Sequence, residues 1–161
     1  MGRIVTFDTG YQTVSAAQDL LELKLGTGQF AFFLSAAVMQ SSDESASEAE
    51  ELQVAIKRAA GSFTSGSGGG TATVIQQEII DSAHGLATIE RNNTTQAVVG
   101  TGTLEIVVPG VFNVLAGEWN YTPIPEMRIP LMPSQALVFS LDEAPADALT
   151  LRAIVVLLIF G

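Results

Sequence analysis

The run Ala153-Ile154-Val155-Val156-Leu157-Leu158-Ile159-Phe160 has no polar side chain on either parity of its positions. Read as a strand, it presents apolar groups to both faces. Read as a helix, it is far shorter than the ~20 residues needed to cross a bilayer. A strand of this kind belongs centrally between two layers, or along the axis of an oligomer. Residues 30–38 pose the same demand. Phe30, Phe32 and Leu34 fall on one face and Ala31 and Phe33 on the other, so this strand is buried on both faces or pairs with another subunit.

The rest of the chain reads as short strands separated by Gly, Pro, Asn and Ser. Residues 4–7 open the series, and 14–19 form a helical turn before 20–25. In that strand Leu20, Leu21, Leu23 and Leu25 are apolar, while Glu22 and Lys24 alternate outward into water. Residues 48–60 fit a helix start through Ser47 and Glu50 or a strand through Leu52, Val54 and Ile56. The β character of the surrounding chain favours the strand. Residues 62–71, rich in Gly and Ser, suit a flexible or threaded loop. Further strands follow at 73–80, 85–90, 104–108 and 111–115. A proline-interrupted stretch through Pro123, Pro125, Pro130 and Pro133 then suits an edge or extended coil. The last strands are 136–141 and 150–160, with a turn at 142–148. Eight to ten strands, no long helix and no internal repeat predict an all-β, jelly-roll-like β-sandwich. At 161 residues it forms a single domain over 1–161, large enough to bury a core unaided.

Composition removes most chemistry. The net charge is −10, with 7 Lys and Arg against 17 Asp and Glu, which opposes phosphate neutralisation and hence nucleic-acid binding. The absence of cysteine excludes thiol catalysis and disulfides, and the one histidine excludes sites built on several imidazoles. Asp43, Glu44, Glu48, Glu50 and Glu51 form an acidic loop, but the spacing of a calcium loop is missing; a solvated loop is expected. The segment 65–71 has no Lys-Ser/Thr end and no G-x-G-x-x-G order, so it is not a phosphate loop. Asp81, Ser82 and His84 have the composition of a triad but lie too close in sequence for its geometry, with no G-x-S-x-G elbow. Paired carboxylates for glycoside hydrolysis could come from any two acids, yet one Trp and two Tyr are few for sugar stacking. The expectation is therefore no enzyme, no cofactor and no metal. With no apolar leader at residues 1–13, a soluble protein made in a cytoplasm is expected.

Two features speak for partners. Only 15% of residues are charged while 47% are hydrophobic, so part of the surface should be covered by other chains. The aromatic and proline segment 112–126 carries Trp119 and Tyr121, which suit interface anchors or a sugar platform, or alternatively a cap on one end of the sandwich core.

The order of several short motifs carries a resemblance. These are Ala16-Ala17-Gln18-Asp19-Leu20, Gln40-Ser41-Ser42-Asp43, the Gly/Ser segment 64–70 and Asn92-Asn93-Thr94-Thr95. Phe112-Asn113-Val114, Tyr121-Thr122-Pro123 with Pro125-Glu126, and Ala144-Pro145-Ala146-Asp147 before Leu149-Thr150-Leu151 complete the series. In this order the chain resembles head decoration (cement) proteins and related small virion surface proteins of tailed bacteriophages. The resemblance implies a homotrimer on the outer capsid surface that binds the major capsid protein and stabilises the head, without contacting nucleic acid or membrane. Residues 30–38 and 153–160 are more apolar than in that group. The expected interface residues are Phe30, Phe32, Phe33, Trp119, Tyr121, Ile154, Val156, Leu158 and Phe160. The alternative is a receptor- or carbohydrate-binding module of a tail or spike.

Overall fold

The structure, a computed structural model, describes residues 2–41, 50–77 and 85–161. Thirteen strands are found among them: β1 Arg3–Asp8, β2 Gln12–Val14, β3 Gln18–Leu25, β4 Phe30–Gln40, β5 Glu51–Thr64, β6 Gly70–Thr71, β7 Thr73–Gln76, β8 Leu86–Asn93, β9 Val98–Asn113, β10 Trp119–Tyr121, β11 Pro130–Leu131, β12 Ala136–Leu141 and β13 Leu149–Phe160. They form two antiparallel sheets. The seven-stranded sheet runs β10-β4-β13-β1-β7, with β11 on β4 and β2 on β13, and the six-stranded sheet runs β6-β8-β3-β12-β5-β9.

Eight of these strands are arranged as a jelly roll, two interlocked Greek keys. One sheet holds β1-β13-β4-β10 and the other holds β3-β12-β5-β9, so the first strand pairs with the last and the later pairs nest inside. The chain between β5 and β9 is an insertion. Its β6 and β8 extend the second sheet beyond β3, while its β7 extends the first beyond β1.

Within one chain β13 takes a central place in its sheet and buries one of its two faces. It lies between β4 and β1 in antiparallel register, Phe160 opposite Phe30 and Ile159 opposite Arg3. Leu149, Leu151, Ala153, Val155, Leu157 and Ile159 point into the sandwich and are buried. They meet Phe7, Phe33 and Val38 of their own sheet and Leu21, Leu23, Ile56, Phe112 and Phe139 of the other in one core. Burying a side chain of this size stabilises the fold by about 1.5–3 kcal/mol.

On the six-stranded sheet the outer side is covered over β3 and β12, while β9 remains largely exposed. Beyond β12 the β5–β9 ribbon continues, then bends where Gly61 pairs with Gly102. These glycines have φ of +106° and +118°, and a Cβ on either would lie 2.0 Å from a carbonyl oxygen of the opposite strand. The ribbon beyond the bend places Phe63 and Ala97 in a second small core with Ala59, Ala136 and Val138. This layer explains why all six residues of β12 are buried.

Several expectations need correction. Residues 14–19 are not a helical turn: Val14 ends β2 and Gln18 begins β3, with a bend between them. Residues 104–108 and 111–113 are parts of one continuous β9, and Val114 and Leu115 lie in the turn that follows it. Several strands of two to four residues raise the count above the eight to ten expected. Glu22 is fully buried rather than solvated, because the insertion covers its face.

Gly102→Ala is expected to destabilise the fold by about 2 kcal/mol or more, from positive φ and backbone overlap. Gly28→Ala, with no atom within 4 Å of its Cβ, should shift stability by less than about 0.5 kcal/mol. Urea unfolding of both variants checks the contrast; equal midpoints would mean that the ribbon does not require its glycine bend.

Candidate interaction face and a buried carboxyl cluster

The outer face of the seven-stranded sheet follows directly from the register of β13. Its inward side chains being apolar, the alternate set Ile154, Val156, Leu158 and Phe160 must point outward. Across the sheet, Phe160 sits beside Phe30, Leu158 between Phe32 and Ile4, and Val156 between Ser35 and Thr6. Thr6 in turn neighbours Ile75 of β7, which is 49% exposed. Phe30 and Phe32 meet edge to face at 4.8 Å between ring centroids, and Phe160 lies 6.0 Å and 6.4 Å from them. The four β13 residues and both phenylalanines are half-buried by their sheet neighbours. Strand spacing and rise give this apolar patch an area of about 400 Å². That matches the apolar centre of a specific interface, which typically covers about 800 Å² per partner with a polar rim.

One end of the face is polar. Arg152 donates from Nε to Asp8 Oδ1 at 2.9 Å and from a second nitrogen to Oδ2, and its guanidinium lies over the Tyr11 ring. The Arg152 hydrogen bond holds the Asp8 carboxyl below its ordinary range against the opposing effect of burial, assisted by the Gly10 N–H.

The structure divides the nine expected interface residues. Phe30, Phe32, Ile154, Val156, Leu158 and Phe160 come together on this face. Phe33 does not: it shares the inward parity of Ala31, is fully buried, and stacks on Tyr121. Trp119 and Tyr121 also turn inward, because they pair with Val38 and Ala36, whose side chains face the core. Trp119 packs 5.6 Å from Phe139 and lies against the Gly110 backbone. These three residues cap and fill the core of their own chain. Ile4 and Ile75 join the face without having been singled out; alternation in residues 4–7 was the available signal.

A second site lies on the outer side of the six-stranded sheet. The β3–β12 register skips Leu20, a bulge that puts Asp19 and Glu22, three residues apart, on one face. Opposite it, Asn92 takes φ +55°, and Glu90 and Asn93 share that face as well. Asn93 Nδ2 donates to Glu22 Oε1 and to Glu90 Oε2, both at 2.8 Å. The Gly/Ser segment lies across them as a strap. Ser65 Oγ bonds to Glu22 and, at 2.7 Å, to Glu90. The Gly66 N–H reaches Glu22 Oε2 at 3.0 Å, and the Gly69 N–H reaches Asn93 Oδ1 at 3.2 Å. Cβ atoms at Gly66 and Gly69 would come within 1.9 Å of backbone oxygens. The glycines thus serve close backbone docking, so of the two expectations, a flexible or a threaded loop, the docked course of the chain goes against the flexible one. Burial, with Glu22 alongside, pushes the Asp19 carboxyl up to about 7, against the Ala97 N–H and the charge of Lys57. Asp19 and Asn93 are 2% exposed and Glu22 is 0% exposed, while Glu90 and Ser65 at the rim of the cluster are half-buried.

Other candidate groups fall partly outside the described residues: Asp43, Glu44 and Glu48 of the acidic loop, and Asp81, Ser82 and His84. Glu50 accepts a hydrogen bond from the Ala146 N–H at 2.8 Å, and Glu51 opens β5 at the surface. Among the described residues, no group of three or more His, Cys, Asp or Glu is arranged to hold a metal ion. No family model, no curated protein and no solved structure matches this chain.

Arg152→Gln leaves Asp8 without its cation. The Arg152 side chain is 34% exposed, which tempers the loss to about 1 kcal/mol at pH 7. Because the partner lowers the Asp8 pKa in the folded state, the wild-type advantage should be full above about pH 4 and shrink as the pH falls. Urea unfolding at pH 7 and pH 3 tests this; an advantage that persists unchanged at pH 3 would exclude the Asp8 ion pair as its source.

Proposed function

We propose that this chain is a non-catalytic structural subunit of a virion. It self-associates through the outer face of its seven-stranded sheet and, as an oligomer, decorates the outside of a phage head. The observation that carries this reading is the uncovered face made by Phe30, Phe32, Ile154, Val156, Leu158 and Phe160. The chain covers β3 and β12 on the outer side of one sheet with its own insertion and leaves an apolar side on the other. Contiguous apolar patches of this kind mark contact with protein. The resemblance to head decoration proteins supplies the class of assembly, and a jelly roll is compatible with it, although that fold also serves lectins.

Magnitudes are compatible with self-association through this face. The side chains on the face are already half-buried, so completing their burial gains about 1 kcal/mol each. Association costs at least about 4 kcal/mol in lost translational and rotational freedom, which one patch only modestly exceeds. In a trimer with the face turned to a common axis, each subunit contacts two others. The aromatic group Phe30, Phe32 and Phe160 would then fill the axis. Seating that trimer on the major capsid protein would multiply weak contacts over many copies. The carbohydrate-binding alternative loses its intended platform, since Trp119 and Tyr121 point into the core.

Native mass spectrometry is expected to show a species of three times the 16.9 kDa chain mass. Leu158→Lys should convert it to monomer while preserving the β-sheet circular dichroism. The wild-type protein should co-sediment with undecorated phage heads and the variant should not. A wild-type monomer at tens of micromolar (about the concentration at which −6 to −7 kcal/mol of association free energy registers) would overturn self-association. A stable trimer that ignores capsids would overturn decoration.

A further inference from the structure

We propose that Asp19 and Glu22, together with the strap of residues 65–70, form a pH-operated clasp, closed while the carboxyl cluster holds a proton and released when that proton leaves. The inference is independent of the virion reading.

Hydrogen-bond arithmetic carries the argument. A serine hydroxyl has one hydrogen, yet Ser65 Oγ lies within bonding distance of carboxyl oxygens of both Glu22 and Glu90. It can donate to only one, so the second contact is satisfied when a carboxyl donates back. The β3 bulge sets Asp19 and Glu22 on one buried face, where burial and the neighbouring Glu22 charge both raise the Asp19 pKa. The neutral donors are already assigned. Asn93 Nδ2 serves Glu22 and Glu90, the Gly66 N–H serves Glu22, and the Ala97 N–H serves Asp19 at 2.6 Å.

The charged groups facing the cluster are few. From β3 come Asp19 and Glu22, with Lys24 farther along and placed over the Phe63 ring. From β8 comes Glu90, and from β5 comes Lys57. Lys57 is held at 2.6 Å by Asp142, beyond the end of β12. The strap and residues 94–97 contribute no titratable side chain. One cation already engaged elsewhere therefore faces three carboxyls. Asp19 and Glu22 lie close together and shielded from water, which disfavours the ionised form of Asp19.

When the proton departs, the two charges on Asp19 and Glu22 repel, and hydration is the available relief. Water enters where the cover is thinnest. The strap is held by Ser65 and Gly66 on Glu22, by Gly69 on Asn93, and by the Ser67–Thr95 backbone pair. The Glu22 anchors are the ones that carry the repelling charge. Lifting the strap would hydrate the cluster without disturbing the main core between the sheets.

The direction follows from proton linkage. The closed state holds a proton that an opened, hydrated Asp19 releases near its ordinary pKa, so closure is strongest in mild acid and is lost as the pH rises through about 7. Hydrogen exchange of the Gly66 amide, corrected for intrinsic base catalysis, should lose about tenfold in protection between pH 6 and pH 8. Asp19→Asn mimics the protonated acid, since its amide can donate to Glu22 and its oxygen can still accept from Ala97. This variant should keep Gly66 protected at both pH values. Flat protection in the wild type, or the same fall in the variant, would overturn the clasp. Carbon-13 titration of the Asp19 carboxyl in the unaltered protein gives a second test that does not depend on the variant folding. A midpoint near 7 supports it, and a midpoint below about 5 overturns it.

Discussion

The ladder that joins β13 to β4 on one side and to β1 on the other is the constraint from which the rest of the architecture follows. Ten residues of β13 pair with β4 and six with β1, so the backbone polar groups of the most apolar segment are satisfied within the chain. Once that ladder exists, the pleat divides Leu149–Phe160 into two sets. One set becomes half of the sandwich core. The other can only become the outside of the sheet. The exposed apolar face is thus a geometric consequence of placing a strand without polar residues at the centre of a two-layer fold.

The two sheets treat their outer sides differently. On the six-stranded sheet, the insertion between β5 and β9 folds back at the Gly61–Gly102 bend and lays a ribbon and a strap over β3 and β12. This covering layer permits Glu22 and Asp19 to be buried, and the serine, asparagine and backbone amides it brings supply their hydrogen bonds. On the seven-stranded sheet, the insertion contributes β7 to the edge, and none of its described strands crosses the outer side. The same chain thus buries polar groups beneath its own strap on one sheet and carries half-buried apolar side chains on the outer side of the other.

Much of this was legible in the residues. The bounds of β12 coincide with residues 136–141, because a six-residue run apolar but for Ser140, between turn signals, admits little else. The strand at 48–60, its helical alternative notwithstanding, became β5. The proline-rich stretch took the edge, where a missing N–H costs no ladder bond. What could not be read depends on distant partners. Phe33 and Phe32 are adjacent phenylalanines, and only the register with β13 decides which one faces the core. Trp119 belongs inside because Gly110 leaves room for its indole. Glu22 looked solvated because simple alternation places it opposite Leu21 and Leu23. Alternation cannot report that chain from the insertion covers that side, nor that a bulge at Leu20 brings Asp19 beside it. The glycines of the strap looked like freedom and are instead close contacts, since an absent Cβ serves either purpose.

The nesting of first strand with last bears on how the chain meets its own hazards during synthesis. A segment such as 153–160, with high β-propensity and no charge, is an aggregation risk whenever it waits unpaired. Here β13 follows β1, β2 and β4 in the chain, so every strand it pairs with has already been made when it emerges. The cost is that the seven-stranded sheet cannot close until then, and closure joins residues at opposite ends of the domain, which slows folding. The order of strands shortens the time for which the stickiest one is alone.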